Sequence, residues 1–237
     1  IRNGEALQTA SKITTMILDK TGTITEGAPK VTDVLLAEGQ IRQHVLMLAA
    51  SIEAGSEHPL AMAIVESAKE QGIEARKVSA FASIAGKGVE AVLDDSQLLF
   101  GNEKLMKERS IDIRAFIDRA QTLAEEAKTP MYFAINNKLA GVIAVADPIK
   151  PDSVEAIKRL QSNGIRIVML TGDNRLTAKA IASKVGITEF VAEVMPEDKA
   201  NKVAQLQKEG EIVGMTGDGI NDAPALAHAN VGFAIGT

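Results

Sequence analysis

The chain has 237 residues, room for one large domain or two ordinary ones, and its 46% apolar and 24% charged residues support a packed core and exclude extensive disorder. Its net charge is −5 with no long basic run, and only 3% of residues are aromatic, so it lacks both the electrostatic and the stacking footprint of a nucleic-acid binder. It has no cysteine, hence no disulfide and no thiolate metal site, and no apolar run approaches the roughly 18 residues of a membrane helix.

Residues 13–18 form an apolar run expected to be a buried strand, which delivers Asp19-Lys20-Thr21-Gly22-Thr23 onto a loop. In open α/β sheets ligands bind outside the carboxyl ends of the strands, so Asp19 is placed to face one. An Asp in a strand-ending turn is also common without any ligand. A short extended piece follows over 31–37. Ile41, Val45, Leu46, Leu48, Ala49 and Ile52 have helical spacing, and Pro59 opens a second helix that stops at Gly72. Residues 78–84, 89–93 and 97–100 are expected strands, parted by Gly86-Lys87-Gly88 and Asp94-Asp95. Helices are expected over 102–108 and 114–127, then a hairpin of 131–135 and 139–145 that turns at Asn136-Asn137.

From Asp147-Pro148 onward the pattern is regular. Helices (152–162, 174–185, 197–208, 222–228) alternate with strands (165–170, 190–194, 212–215, 231–235), as in a doubly wound parallel sheet. The strand at 13–18 needs such a sheet and has no neighbour nearby in sequence. The expected fold is α/β, with the parallel sheet closed across an inserted α+β domain. One domain is 1–31 with 146–237, and the other is 32–145. The chain stops two residues after its last strand, and no signal-peptide pattern opens it. It is expected to be a soluble, monomeric portion of a longer protein.

Three strand ends carry carboxylates, hydroxyls and glycines to one edge: 19–23, Thr171-Gly172-Asp173-Asn174, and Thr216-Gly217-Asp218-Gly219-Ile220-Asn221-Asp222. Glycines let backbone N–H groups approach an anion, and helix N-termini favour phosphate. Clustered carboxylates repel unless a hard cation sits among them, and Mg2+ usually also takes a phosphate oxygen. Lys199, following Pro196, can supply balancing charge. Asp19, first on its loop, is the candidate phosphoryl acceptor. There is no GxxxxGK[ST] loop and no Gly-x-Ser-x-Gly elbow.

DKTGT at 19–23, TGDN at 171–174 and MTGDGINDAPAL at 215–226 resemble the signature set of P-type ATPases, within the haloacid-dehalogenase superfamily. The resemblance covers residues 13–237. It implies that Asp19 is phosphorylated and that Thr21 lends its backbone carbonyl to Mg2+ and helps hold the phosphoryl group. It also implies that Thr171 and Lys199 bind the phosphate and that Gly172 and Asp173 belong to the nucleotide site. Asp218 and Asp222 would complete the Mg2+ site, with Asn221 in support. Related phosphatases carry a general-acid Asp two residues after the nucleophile; here that residue is Thr21, so the phosphoenzyme should hydrolyse slowly.

Within 32–145, the ordered set Ser56-Glu57-His58-Pro59-Leu60, Gly86-Lys87-Gly88-Val89 and Gly101-Asn102 resembles the nucleotide-binding domain of the heavy-metal subclass. On that resemblance Glu53, His58, Gly86, Gly88 and Asn102 contact ATP, although His58 before Pro59 also suits a capping role. Asp147-Pro148 matches the family's hinge. Ile24 replaces the commoner Leu, a nearly isosteric change. The implied function is the catalytic portion of a Cu+-exporting pump on the cytoplasmic face of a membrane, using ATP and Mg2+. Transmembrane and actuator domains would be its partners. Silver or zinc as the ion, a free-standing phosphatase with 32–145 as its cap, and a non-catalytic nucleotide-binding module are the alternatives.

Overall fold

A computed structural model describes residues 8–218 and 222–235. The chain divides into two compact units, Ile1–Gly27 with Pro148–Thr237, and Ala28–Asp147. The division falls a few residues outside the expected limits of the insertion. Lys30 and Val31 begin strand β2 (Lys30–Leu36) and pair with Ala146 and Val145 of β7 (Lys138–Ala146), so the ladder carries them into the inserted unit.

The first unit holds a five-stranded sheet in the order β11-β10-β1-β8-β9, with every pairing parallel. These strands are β1 (Thr15–Asp19), β8 (Arg166–Leu170), β9 (Glu189–Val191), β10 (Val213–Gly217) and β11 (Val231–Ala234). β1 is central, as its fully buried sequence requires. The chain steps outward from β1 to β8 and β9, then returns to lay β10 on the other flank of β1. That reversal makes a switch point between β1 and β10, where α/β sheets bind ligands.

Helices α5 (Ser153–Ser162), α6 (Arg175–Val185), α7 (Pro196–Lys208) and α8 (Ala223–His228) connect these strands. Asn174 caps α6 by accepting hydrogen bonds from the N–H groups of Leu176 and Thr177, and Gly186 ends it in the left-handed region. Pro196 opens α7, with Glu197 and Asp198 in its first turn, where the helix dipole favours acidic groups. Ile17, Val168, Leu170, Val203, Leu206, Val213 and Met215 form the core beneath the site. β9 is shorter than the expected 190–194 because Glu193 turns the chain with φ 58°.

The second unit is a six-stranded antiparallel sheet in the order β2-β7-β6-β5-β4-β3. Its remaining strands are β3 (Ser79–Ile84), β4 (Gly88–Leu93), β5 (Ser96–Gly101) and β6 (Thr129–Ile135). Alternation along each strand splits the side chains between two cores. Val89, Leu98, Phe100 and Phe133 pack with α1 (Arg42–Glu53) and α2 (Pro59–Glu70). Leu99, Tyr132 and Val142 pack with residues of α3 (Glu103–Glu108) and α4 (Ile117–Glu125). The expected helix over 114–127 breaks in two at Phe116, whose φ −122° and ψ 0° leave the helical region. Among the described residues no helix is long and apolar enough to cross a membrane.

Candidate active site

β1 ends at Asp19, and the chain turns sharply through Lys20–Ile24. The turn is closed by the Thr25 N–H and hydroxyl, which both donate to the Lys20 carbonyl at 3.0 and 2.9 Å. Gly22 takes φ 71°, and a Cβ built there would lie 3.6 Å from the Asp218 Cβ, which places the loop against the end of β10. The Thr21 N–H donates to Asp19 Oδ2 at 3.0 Å and fixes the carboxylate's direction.

Asp19 Oδ1 accepts a hydrogen bond from Lys199 Nζ at 2.7 Å, and the same ammonium donates to Asp222 Oδ1 at 2.6 Å. Lys199 reaches this point from the first turn of α7. Asp222 folds back tightly on β10, and a Cβ on Gly217 would stand 2.2 Å from Asp222 Oδ2, so that position has to be glycine. Asp19 and Lys199 are only 5% and 8% exposed. Burial pushes the Asp19 carboxyl up to about 6; Asp222 adds to the rise, while Lys199 and Lys20 oppose it. Burial pulls Lys199 down, but the two carboxylates outweigh it and its net shift is upward. Both groups are therefore charged at pH 7.

The loop after β8 joins the same edge, since Asp19 sits level with Leu170 in the parallel register. Thr171 is buried, and its hydroxyl accepts the Asp173 N–H at 3.1 Å. Asp173, expected at the nucleotide, turns inward and pairs with Lys20 at 2.9 Å. Gly172 lies between these two residues, and a Cβ built there would meet the Val194 carbonyl at 3.6 Å, an ordinary contact. Asn221 lies outside the described residues.

The donors at this edge suit Mg2+, a hard cation content with one or two carboxylates, a carbonyl and phosphate oxygens. Asp222 Oδ2 is buried without a hydrogen-bond partner, an acceptor that a nearby cation would satisfy. Among the described residues no three acidic or histidine side chains converge as a metal cage, because Lys199 stands between Asp19 and Asp222.

In the second unit, Glu53 ends α1 in a buried position, and burial raises its carboxyl to about 7 against the pull of the Ser56 hydroxyl. His58 is exposed and caps α2, its Nδ1 accepting from the Leu60 N–H at 3.2 Å. Gly86, Gly88 and Asn102 form one cluster. The Asn102 amide donates to the Gly86 carbonyl at 2.8 Å, its Oδ1 caps α3 through the Leu105 N–H, and a Cβ on Gly88 would collide with the Phe100 carbonyl at 2.1 Å. Glu53 and His58 lie on the α1–α2 connection, whose Gly55 rests against the Phe81 ring of β3. That strand leads directly into Gly86.

Sequence reasoning passed over Lys20, Ser56 and Phe81. Their partners are set by the fold; Lys20, inside the 19–23 motif, and Ser56, at the head of the 56–60 motif, carried some signal, and Phe81 none.

A family model described as haloacid dehalogenase-like hydrolase matches residues 13–230. The chain is 46% identical over 236 residues to a copper-transporting ATPase 2 of Rhizobium meliloti (strain 1021), covering 100% of this chain and 28% of that protein. It is 45% identical over 237 residues to a silver exporting P-type ATPase of Salmonella typhimurium, again over the whole chain and 29% of the relative. It therefore spans less than a third of these relatives. A solved catalytic domain of a CPx-ATPase matches with TM-score 0.76 and 31% identity, over 98% of this chain and 81% of that one. A zinc-transporting PIB-type ATPase in its E2.Pi state matches with TM-score 0.65 and 35% identity, over 99% and 38%. The chain belongs to the haloacid dehalogenase-like hydrolases and, within them, to the catalytic domains of P-type ATPases of the CPx class.

Proposed function

We propose that this chain is the ATP-binding, phosphoryl-accepting portion of a heavy-metal exporting P-type ATPase. The observation that carries the proposal is the buried line Asp19–Lys199–Asp222 at the carboxyl ends of the adjacent strands β1 and β10. A carboxylate fixed in direction, ionised at pH 7 and faced by an ammonium is equipped to attack the terminal phosphorus of ATP in line. The bond formed joins Asp19 to the γ phosphorus. The bond broken joins that phosphorus to the β–γ bridging oxygen, and ADP departs with the electron pair. Lys199 and Thr171 neutralise and orient the transferred oxygens.

Mg2+, held by Asp19, the Thr21 carbonyl and Asp218, would supply charge neutralisation on the phosphate oxygens. Asp222 has Oδ1 engaged by Lys199, so its part at the metal is confined to Oδ2. Thr21 stands where a general-acid Asp would speed hydrolysis, which favours a phosphoenzyme that persists. Glu53, His58, Gly86, Gly88 and Asn102 are assigned to ATP, with Gly172 and Asp173 nearest the transfer point.

Copper is the proposed ion, with silver and zinc as alternatives. A copper-transporting and a silver exporting relative match this chain almost equally, at 46% and 45%, which supports assigning ion choice to residues outside it. The proposed setting is the cytoplasmic face of a membrane, alongside transmembrane and actuator domains. Incubation with γ-labelled ATP and Mg2+ should yield an acid-stable label on the chain, lost in Asp19→Asn and unchanged by added copper. A label retained in Asp19→Asn would overturn the assignment. Rapid hydrolysis of simple phosphate esters with no trapped intermediate would favour a free-standing phosphatase.

A further inference from the structure

The loop that presents Asp19 is gripped from behind by the segment that follows the second crossing between the units. Thr25 bridges Ile149, the Glu26 N–H donates to the Pro148 carbonyl at 2.8 Å, and the Lys150 N–H donates to the Ile24 carbonyl at 3.0 Å. The Ser153 hydroxyl donates to the same Ile24 carbonyl at 2.8 Å. These bonds fasten the far end of the loop. Lys150 goes further: its side-chain ammonium donates to the Gly22 carbonyl at 2.6 Å, in the middle of the loop. Gly22 holds the left-handed φ of 71° that brings the loop against Asp218. The preceding residue, Thr21, supplies the N–H that aims Asp19.

Resting on the phosphoryl-transfer function above, we propose that Lys150 is a positioning residue for that transfer: its ammonium holds the Gly22 carbonyl so that Thr21 N–H and Asp19 Oδ2 stay in register. A charge-assisted bond to a backbone carbonyl restrains a turn that a glycine leaves otherwise free. Lys150 bonds the Gly22 carbonyl and Lys199 the Asp19 carboxylate, so the two ammonium groups have different tasks.

The test compares Lys150→Met and Lys150→Arg in the intact chain. Lys150→Met is expected to slow formation of the acid-stable phosphoenzyme at least tenfold at saturating MgATP, while the Kd of a fluorescent ATP analogue changes less than twofold. Lys150→Arg, which keeps a charged donor, is expected to recover most of the rate. Amide hydrogen exchange over residues 20–25, measured without any substrate, is expected to accelerate in Lys150→Met and to return in Lys150→Arg. A Lys150→Met rate within twofold of the parent overturns the proposal, as does a matching loss in nucleotide affinity. If the parent chain itself forms no phosphoenzyme, the function above fails, and unchanged exchange in Lys150→Met would then sink the tether independently.

Discussion

Lys20 and Asp173 form a 2.9 Å ion pair whose side chains are 6% and 9% exposed, joining the loop after β1 to the loop after β8. Breaking one side of a buried pair leaves the other charge poorly compensated, at a cost of up to about 3–5 kcal/mol, with Asp19 still near enough to Lys20 to offset part of it. Asp173→Leu should lower the free energy of unfolding in urea by an amount in that range. Combining it with Lys20→Met should return most of the loss, because an apolar pair of similar volume needs no counter-charge. If the double variant is as unstable as the single, the pair is not what joins the loops.

Lys199 separates two buried carboxylates, so removing it does more than delete the proposed phosphate ligand. Lys199→Met should raise the Asp19 carboxyl above its present value near 6, since both burial and Asp222 then act unopposed by that ammonium. Phosphoenzyme formation at pH 7 should fall by at least two orders of magnitude, which corresponds to about 3 kcal/mol in the barrier. Part of the rate should return as pH rises to 8.5 and Asp19 ionises. A uniform loss across pH would mean that Lys199 acts on the phosphate alone.

Glu53 gives a stability signature that is separate from activity. Its folded-state carboxyl, near 7, lies above the ordinary 4.5, so the folded state holds this proton more tightly than the unfolded chain. Its contribution is fully present below pH 4.5 and is lost as pH rises through 7, a span of about 3 kcal/mol. Glu53→Gln should match the parent at pH 4.5 and exceed it in urea stability above pH 7.5. Parallel curves for the two proteins would mean that folding does not raise the Glu53 carboxyl.

His58 and Gly88 should respond differently to the same small substitution. His58 is exposed and contributes a cap, so His58→Ala should cost about 1 kcal/mol in stability while weakening ATP several-fold and leaving Mg2+ affinity intact. Gly88 has φ 151° and backbone where a Cβ would sit, so Gly88→Ala should unfold or rearrange the turn and lose ATP binding with it. An ATP affinity unchanged in His58→Ala would remove that residue from the nucleotide site.

Short-range chemistry made much of the molecule legible from the sequence. The Asn136-Asn137 turn has φ of 48° and 60°, as a two-residue hairpin requires, and Pro196 and Asn174 mark helix starts where expected. The alternation from 148 onward led to a parallel sheet with β1 inside it. Polar contacts between distant segments left no trace in spacing. Lys20 meets Asp173 across 153 positions, and Lys150 meets Gly22 across 128. No period reaches that far, and a lysine near a loop looks the same whether it is solvated or buried. The turn at Glu193 was equally hidden, because glutamate, unlike the asparagines at 136 and 137, is not a residue type that announces positive φ.

The central place of β1 also bears on how the polypeptide assembles as it is synthesised. Its two partners, β8 and β10, emerge only after the entire antiparallel unit has been made. That unit contains all of its own strands and can condense first, while the apolar ribbon before Asp19 waits with both edges open. For the ribosome-bound chain, the hazard is concentrated in a handful of residues beside Asp19, which stay unpaired until the last third arrives.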